Sequence, residues 1–183
     1  MRLIDIGVNL TSDRFHSDRD AALERAWANG VETLICTGTS ADASRDAQAL
    51  AARHPRQLRS TAGIHPHAAA DCDATALAEL RTIAEQPEVV AIGETGLDFN
   101  RDFSPRADQE AAFAEQLAVA AELGLPIFIH QRDAHDRLMG MLREHRDHLV
   151  DAVVHCFTDT RAALHDYLDM GLHIGITGWI CDE

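Results

Sequence analysis

Seven short strand-like runs recur along this chain, separated by amphipathic stretches of about one helix each. They are Leu3 to Val8, Thr33 to Thr37, Arg59 to Gly63, Val89 to Gly93, Pro126 to His130, Asp151 to His155 and His173 to Ile176. They are rich in Ile and Val and mostly continuous rather than alternating, the pattern of strands buried on both faces of a parallel sheet. The stretches between them have credible helix ends. Ser17 is placed to cap a helix from near Asp18, with Leu23 and Trp27 on its inner face and Gly30 as its stop. The stretch from Asp108 to Leu123 puts Phe113, Leu117 and Ala120 on one stripe before Gly124 and Pro126 end it. Residues 41–54, 74–85, 133–146 and 160–170 fill the other gaps.

Repeats of this kind predict an α/β fold of the TIM (β/α)8 type. The rival is a doubly wound sheet. It would be favoured by a GxGxxG loop after the first strand, and none is present. Barrels of this type run to about 250 residues, with roughly 200 at the low end, and this chain has 183. The expectation is therefore an incomplete barrel with about seven of eight strands, strand eight missing, formed by a single domain over residues 1–183.

Composition narrows the chemistry. The formal net charge of -14 argues against a broad basic surface that grips duplex DNA. It leaves open a substrate held by divalent cations and a few local arginines. All 16 cationic side chains are Arg. Schiff-base chemistry and a metal pair bridged by carboxylated lysine are thereby excluded. The four cysteines form no CxxC pair and read as reduced thiols, with Cys156 as a small buried hydrophobe. No apolar run is long enough to span a membrane, and the start reads as a strand rather than a signal peptide. A cytoplasmic monomer is the expectation.

Three successive runs end in a potential metal ligand. VVAIGE closes on Glu94, LPIFIH on His130 and DAVVH on His155. Parallel strands deliver their C-terminal ends to one mouth, where barrel enzymes carry their sites. Two imidazoles and a carboxylate suit Zn, Mn or Mg and leave open positions for water and substrate. His65 and His67 flank Pro66 and offer a further ligand, a proton donor or a phosphate contact, with His65 nearer the strand end. Asp98, four residues past Glu94, either orders neighbouring groups or acts as a base. Arg132, two residues past His130, is the best-placed fork for a phosphate. The histidines at 16, 54, 135, 145, 148, 165 and 173 lie on helices or away from the mouth.

Taken together, IDIGVNL at 4–10, AGIHPH at 62–67, EVVAIGETGLDFNR at 88–101, FIHQRDAH at 128–135, VVHCFTDT at 153–160 and GITGWICDE at 175–183 resemble the TatD family of metal-dependent deoxyribonucleases, a branch of the amidohydrolase superfamily. The resemblance implies a barrel hydrolase that uses a divalent cation, commonly Mg. It implies 3′–5′ exonuclease action on single-stranded DNA or RNA, with roles in DNA repair or fragmentation. It places the family's metal-binding residues on Glu94, His130 and His155. Two departures stand out. Asp5-Ile6-Gly7-Val8-Asn9 keeps the Asp of the family's DxHxH motif but neither histidine. The family's eighth-strand aspartate has no counterpart before Glu183, which leaves His65 or Asp98 as substitutes in the catalytic role. The alternatives are a small-molecule amidohydrolase or lactonase on the same barrel, and a catalytically impaired fragment.

Overall fold

The structure is a computed structural model that describes residues 2–181. Asp182 and Glu183, the last two residues of the GITGWICDE segment, lie outside the described residues. Seven strands form one sheet, in the order β1 (Leu3–Val8), β2 (Val31–Cys36), β3 (Leu58–Ala62), β4 (Val89–Asp98), β5 (Ile127–Arg132), β6 (Ala152–Val154) and β7 (His173–Ile174). Every neighbouring pair is parallel. Sequential order with parallel pairing is barrel topology, because a doubly wound sheet reverses its strand order partway. The sheet curls into an arc, with β1 and β7 at its ends. Accordingly, β1 is far more exposed than the central strands, and Ile4 is 63% exposed.

The connecting helices are α1 (Arg19–Ala28), α2 (Ala41–Arg53), α3 (Ala74–Ala84), α4 (Arg106–Leu123), α5 (His135–His145) and α6 (Arg161–Asp169). Three of them begin at side-chain caps: Ser40, Asp73 and Thr160 accept from the backbone N–H groups of Ala43, Ala76 and Ala163. The start of α1 differs from the sequence expectation. Its cap position falls on Asp18 rather than Ser17, and Asp18 makes no capping bond. The Asp18 carboxylate instead meets the Arg25 guanidinium at 3.2 Å. The stops hold, with left-handed backbone at Gly30 (φ 89°) and Gly124 (φ 63°). No helix among the described residues is long and apolar enough to cross a membrane.

The larger core packs α3, α4 and α5 against β4, β5 and β6 around Phe113, Leu117, Ile127, Ile129 and Leu138. A smaller one gathers Leu10, Leu23, Leu34, Leu50 and Leu58 under α1 and α2. Strand β4 departs most from the sequence expectation. It does not end at Gly93 but runs on through Asp98, so the GETGLD segment is strand rather than loop. Its register against β5 slips between Ile92 and Thr95, the stretch that carries Glu94. An irregularity of this kind re-aims a side chain toward the barrel mouth.

The two glycines that make this segment look like a loop, Gly93 and Gly96, are there for close approach, as is Gly63 just past β3; a Cβ on Gly96 (φ 137°) would run into the carbonyl of His130. A Cβ on Gly63 would run into the backbone of Gly93, and one on Gly93 (φ 137°) into the carbonyl of Phe128. β3, β4 and β5 are therefore pressed together just below the mouth. Gly140, inside α5, has open space where its Cβ would be.

Opposite signs follow for two identical substitutions. Gly140→Ala should stabilise the fold by about 0.5–1 kcal/mol through helix propensity. Gly63→Ala should destabilise it by about 2 kcal/mol or more through overpacking. Urea unfolding of both variants checks this, and equal midpoints would remove the close-packing account.

Candidate metal centre

Each potential ligand sits at or just past the C-terminal end of its strand. His65 follows β3, Glu94 lies in the β4 irregularity, His130 is in β5, and His155 follows β6, its N–H bonded to the Ile129 carbonyl at 3.0 Å. They converge on one carboxylate oxygen. Glu94 Oε1 is 2.6 Å from His155 Nε2, 2.9 Å from His130 Nδ1 and 3.4 Å from His65 Nε2. Glu94 is only 6% exposed. Burial alone would push its acidity down, but bonds from His130, His155 and His65 outweigh this and hold its carboxyl well below the usual range. The carboxylate is thus ionised and faces imidazole nitrogens that can be lone-pair donors.

The group fits a divalent cation. Ligand atoms of His65, Glu94 and His130 all lie within 4.8 Å of one another, and His155 Nε2 lies 2.6 Å from the same Glu94 oxygen, so by distance either His65 or His155 completes a group with Glu94 and His130. Nε2 of His130 is buried without a hydrogen-bond partner, and buried polar atoms of this kind usually mark an ion or water. Nitrogen and carboxylate oxygen are a donor set that Mg, Mn and Zn accept.

His65 differs from the other two imidazoles. Its Nδ1 accepts the backbone N–H of His67 at 3.1 Å. That bond puts the ring proton on Nε2, the atom aimed at Glu94. Burial lowers the pKa of His65, which favours its neutral form. A neutral imidazole in this tautomer offers an N–H, whereas a metal ligand must offer a lone pair. The ring of His155, by contrast, stacks on Phe128 at 4.6 Å and is fixed from the strand side.

Asp98 ends β4 fully buried, behind the histidines. Its Oδ2 meets His67 Nε2 at 2.7 Å, Arg101 Nη1 at 3.1 Å and His130 Nε2 at 3.4 Å. Its Oδ1 accepts the backbone N–H groups of Asn100 and Arg101. Burial opposes the charge, but these bonds prevail and lower its pKa strongly. Arg132 lies on the rim, donating to Thr158 Oγ1 at 3.0 Å. Among the described residues no carboxylate pairs with it, so its guanidinium is available to an anion. Both Arg132 and Arg101 line a cleft of about 1000 Å³ together with the histidines, Glu94 and Trp179. Cys156 also lines this cleft, half-buried with φ 50°, rather than packing into the core as its neighbours suggested.

Two residues absent from the sequence reading hold the site in place. Gln109 and Gln116 lie on the buried stripe of α4 and are 1% and 0% exposed. The Gln116 amide accepts from Ile64 N–H at 2.8 Å and donates to Ile64 C=O at 3.0 Å, pinning the residue before His65. Gln109 pairs in the same way with both backbone groups of Asp98, at 2.8 and 3.2 Å, and also donates to the Ser104 carbonyl. Their sequence signal was a pair of amides seven apart in the stripe that carries Phe113, Leu117 and Ala120.

The family model described as TatD related DNase matches residues 4–183. The chain is 55% identical over 181 residues to the 3′-5′ ssDNA/RNA exonuclease TatD of Enterobacter lignolyticus, covering 99% of this chain and 69% of that protein. The solved structure of YJJV, a TatD homologue from Escherichia coli, superposes with a TM-score of 0.89 at 32% identity, covering 98% of this chain and 69% of that one. A TatD family hydrolase from Entamoeba histolytica gives the same TM-score at 30% identity, covering 97% of this chain and 65% of that one.

Replacing Gln109 by Leu keeps its bulk but leaves the buried amide and carbonyl of Asp98 unpaired. The expected cost is about 3 kcal/mol, at roughly 1–3 kcal/mol for each orphaned group. Chemical denaturation measures it, and a loss below about 0.5 kcal/mol would contradict the clamp.

Proposed function

Since the chain belongs to the TatD-related DNase family, we propose that it is a metal-dependent phosphodiester hydrolase that trims single-stranded DNA or RNA from the 3′ end. The observation that carries this reading is the convergence of three imidazoles on one buried, ionised carboxylate oxygen beside an arginine that has no carboxylate partner among the described residues. The 55% identity to a protein named as a 3′-5′ ssDNA/RNA exonuclease supports the substrate class.

Glu94, His130 and His155 hold the cation, with Mg first and Mn or Zn as alternatives. Bound there, a divalent cation would supply Lewis-acid polarisation of a phosphate oxygen and acidify a water. Arg132 takes the non-bridging oxygens of the phosphate through its fork of N–H donors. His65, with its proton on Nε2, donates a hydrogen bond where negative charge develops on the phosphate. Asp98 is a weak base, because four hydrogen-bond donors and a low pKa commit it to its charged form. It is a positioning residue that sets the ring of His67 and the guanidinium of Arg101. Two guanidinium groups, Arg101 and Arg132, line the cleft beside the imidazoles, which supports a phosphate over the lactone or amide of a small-molecule amidohydrolase.

Calorimetric titration with Mn, run beside release of mononucleotides from end-labelled single-stranded DNA, separates these roles. Glu94→Gln should weaken Mn binding by about a hundredfold or more and abolish chelator-sensitive release. His65→Gln should hold Mn affinity within about threefold while lowering kcat by about a hundredfold. Unchanged Mn binding in Glu94→Gln would remove the metal assignment. Equal losses of affinity in both variants would make His65 a ligand.

A further inference from the structure

Beside the cleft, the turn between β4 and α4 presents an aromatic ring to solvent. Phe103 is 70% exposed, and its ring meets the ring of His67 edge-on at 4.7 Å and 68°. A single exposed phenylalanine is ordinary on a protein surface, but this one is held firmly. Asp102, at φ 47°, is gripped by Arg106 through Nε at 3.0 Å and Nη2 at 2.8 Å. On the other side, Ser104 is buried. Its hydroxyl donates to the His67 carbonyl at 3.0 Å and accepts from Ala70 N–H at 3.3 Å, and its own carbonyl accepts from Gln109 at 2.9 Å. The Asp102 N–H bonds the Asp98 carbonyl at 3.3 Å, so the backbone on both sides of Phe103 is tied to residues of the site, while the ring itself is left uncovered.

The ring also borders the cleft through its contact with His67. Arg101, two residues back, lines the cleft with its guanidinium on Asp98, and His67 lines it directly beneath the phenyl edge. A cationic donor for the backbone and an exposed flat apolar ring on the same turn are the two parts of a single-strand binding surface. Stacking requires a base free of its partner, so such a ring favours single strands over duplex. We propose that Phe103 is a stacking platform for an unpaired nucleobase adjoining the phosphate held at the metal centre, a subsite that rests on the nuclease reading. An exposed face of the ring takes the base, and Arg101 meets the phosphate that joins it to the reacting nucleotide. Because every base has a π-face, the platform selects for strandedness and not for sequence.

The test uses the full chain, a fluorescent single-stranded DNA decamer, and the same decamer made abasic at its three 3′-terminal positions. Binding is followed by anisotropy with Ca in place of Mg, and mononucleotide release is assayed separately with Mg. Phe103→Ala should weaken the base-bearing strand about tenfold and leave the abasic strand within about twofold, and Phe103→Trp should restore binding. Equal effects on both strands, no effect on either, or a wild-type chain that binds the two strands alike would overturn the platform. Base-dependent binding with no release of mononucleotides by the wild type would remove the nuclease reading and leave the platform standing. Release with unchanged binding in Phe103→Ala would do the reverse.

Discussion

A carboxylate buried at the mouth of a barrel has to be compensated, and the way Glu94 is compensated organises the molecule. Three strands contribute an imidazole to one of its oxygens, and the backbone is shaped so that they can. Gly63 and Gly93 let β3 and β4 approach where side chains would keep them apart. The slip in register between β4 and β5 turns Glu94 into the same space as His130. Without that convergence the site would hold an unpaired buried charge, which costs several kcal/mol.

Around this centre the groups fall into layers with different duties. His130 and His155 bring nitrogen to the carboxylate, while the tautomer of His65 gives it a proton to donate. Behind them Asp98 takes four hydrogen bonds and fixes the His67 ring and the Arg101 guanidinium. Behind Asp98, the side-chain amides of Gln109 and Gln116 bond the backbone of the strand ends as another strand would. A helix on the outside of the barrel thereby sets positions on the inside. Arg132 and Arg101 remain at the rim, where an anion would arrive.

The fold was legible because strand-like runs and helical stripes alternate without interruption, and sequential parallel order is the arrangement that such alternation favours. The convergence of the candidate ligands was legible for a related reason: parallel strands end on one face, so Glu94, His130 and His155 had to meet. Other features were harder to read. Two glycines made residues 93–98 look like a loop, because a glycine needed for close approach is indistinguishable in sequence from one needed for a turn. The α1 start went to Asp18 because Ser17 and Asp18 are both good caps and tertiary pairing with Arg25 decided where the acid went. Gln109 and Gln116 carried a signal that reads equally well as surface, since only the packed structure tells a buried amide from a solvated one. Asp98 was placed at the site, but its full burial and its bonds from the backbone N–H groups of Asn100 and Arg101 depend on the turn that follows it.

The most direct test of the central claim is a crystal soaked in Mn and measured at a wavelength where Mn scatters anomalously. The account predicts one strong peak bounded by the Glu94 carboxylate, His130 and His155, with His65 donating nearby and outside bonding distance of the ion. A peak elsewhere, or none at saturating Mn, would contradict it.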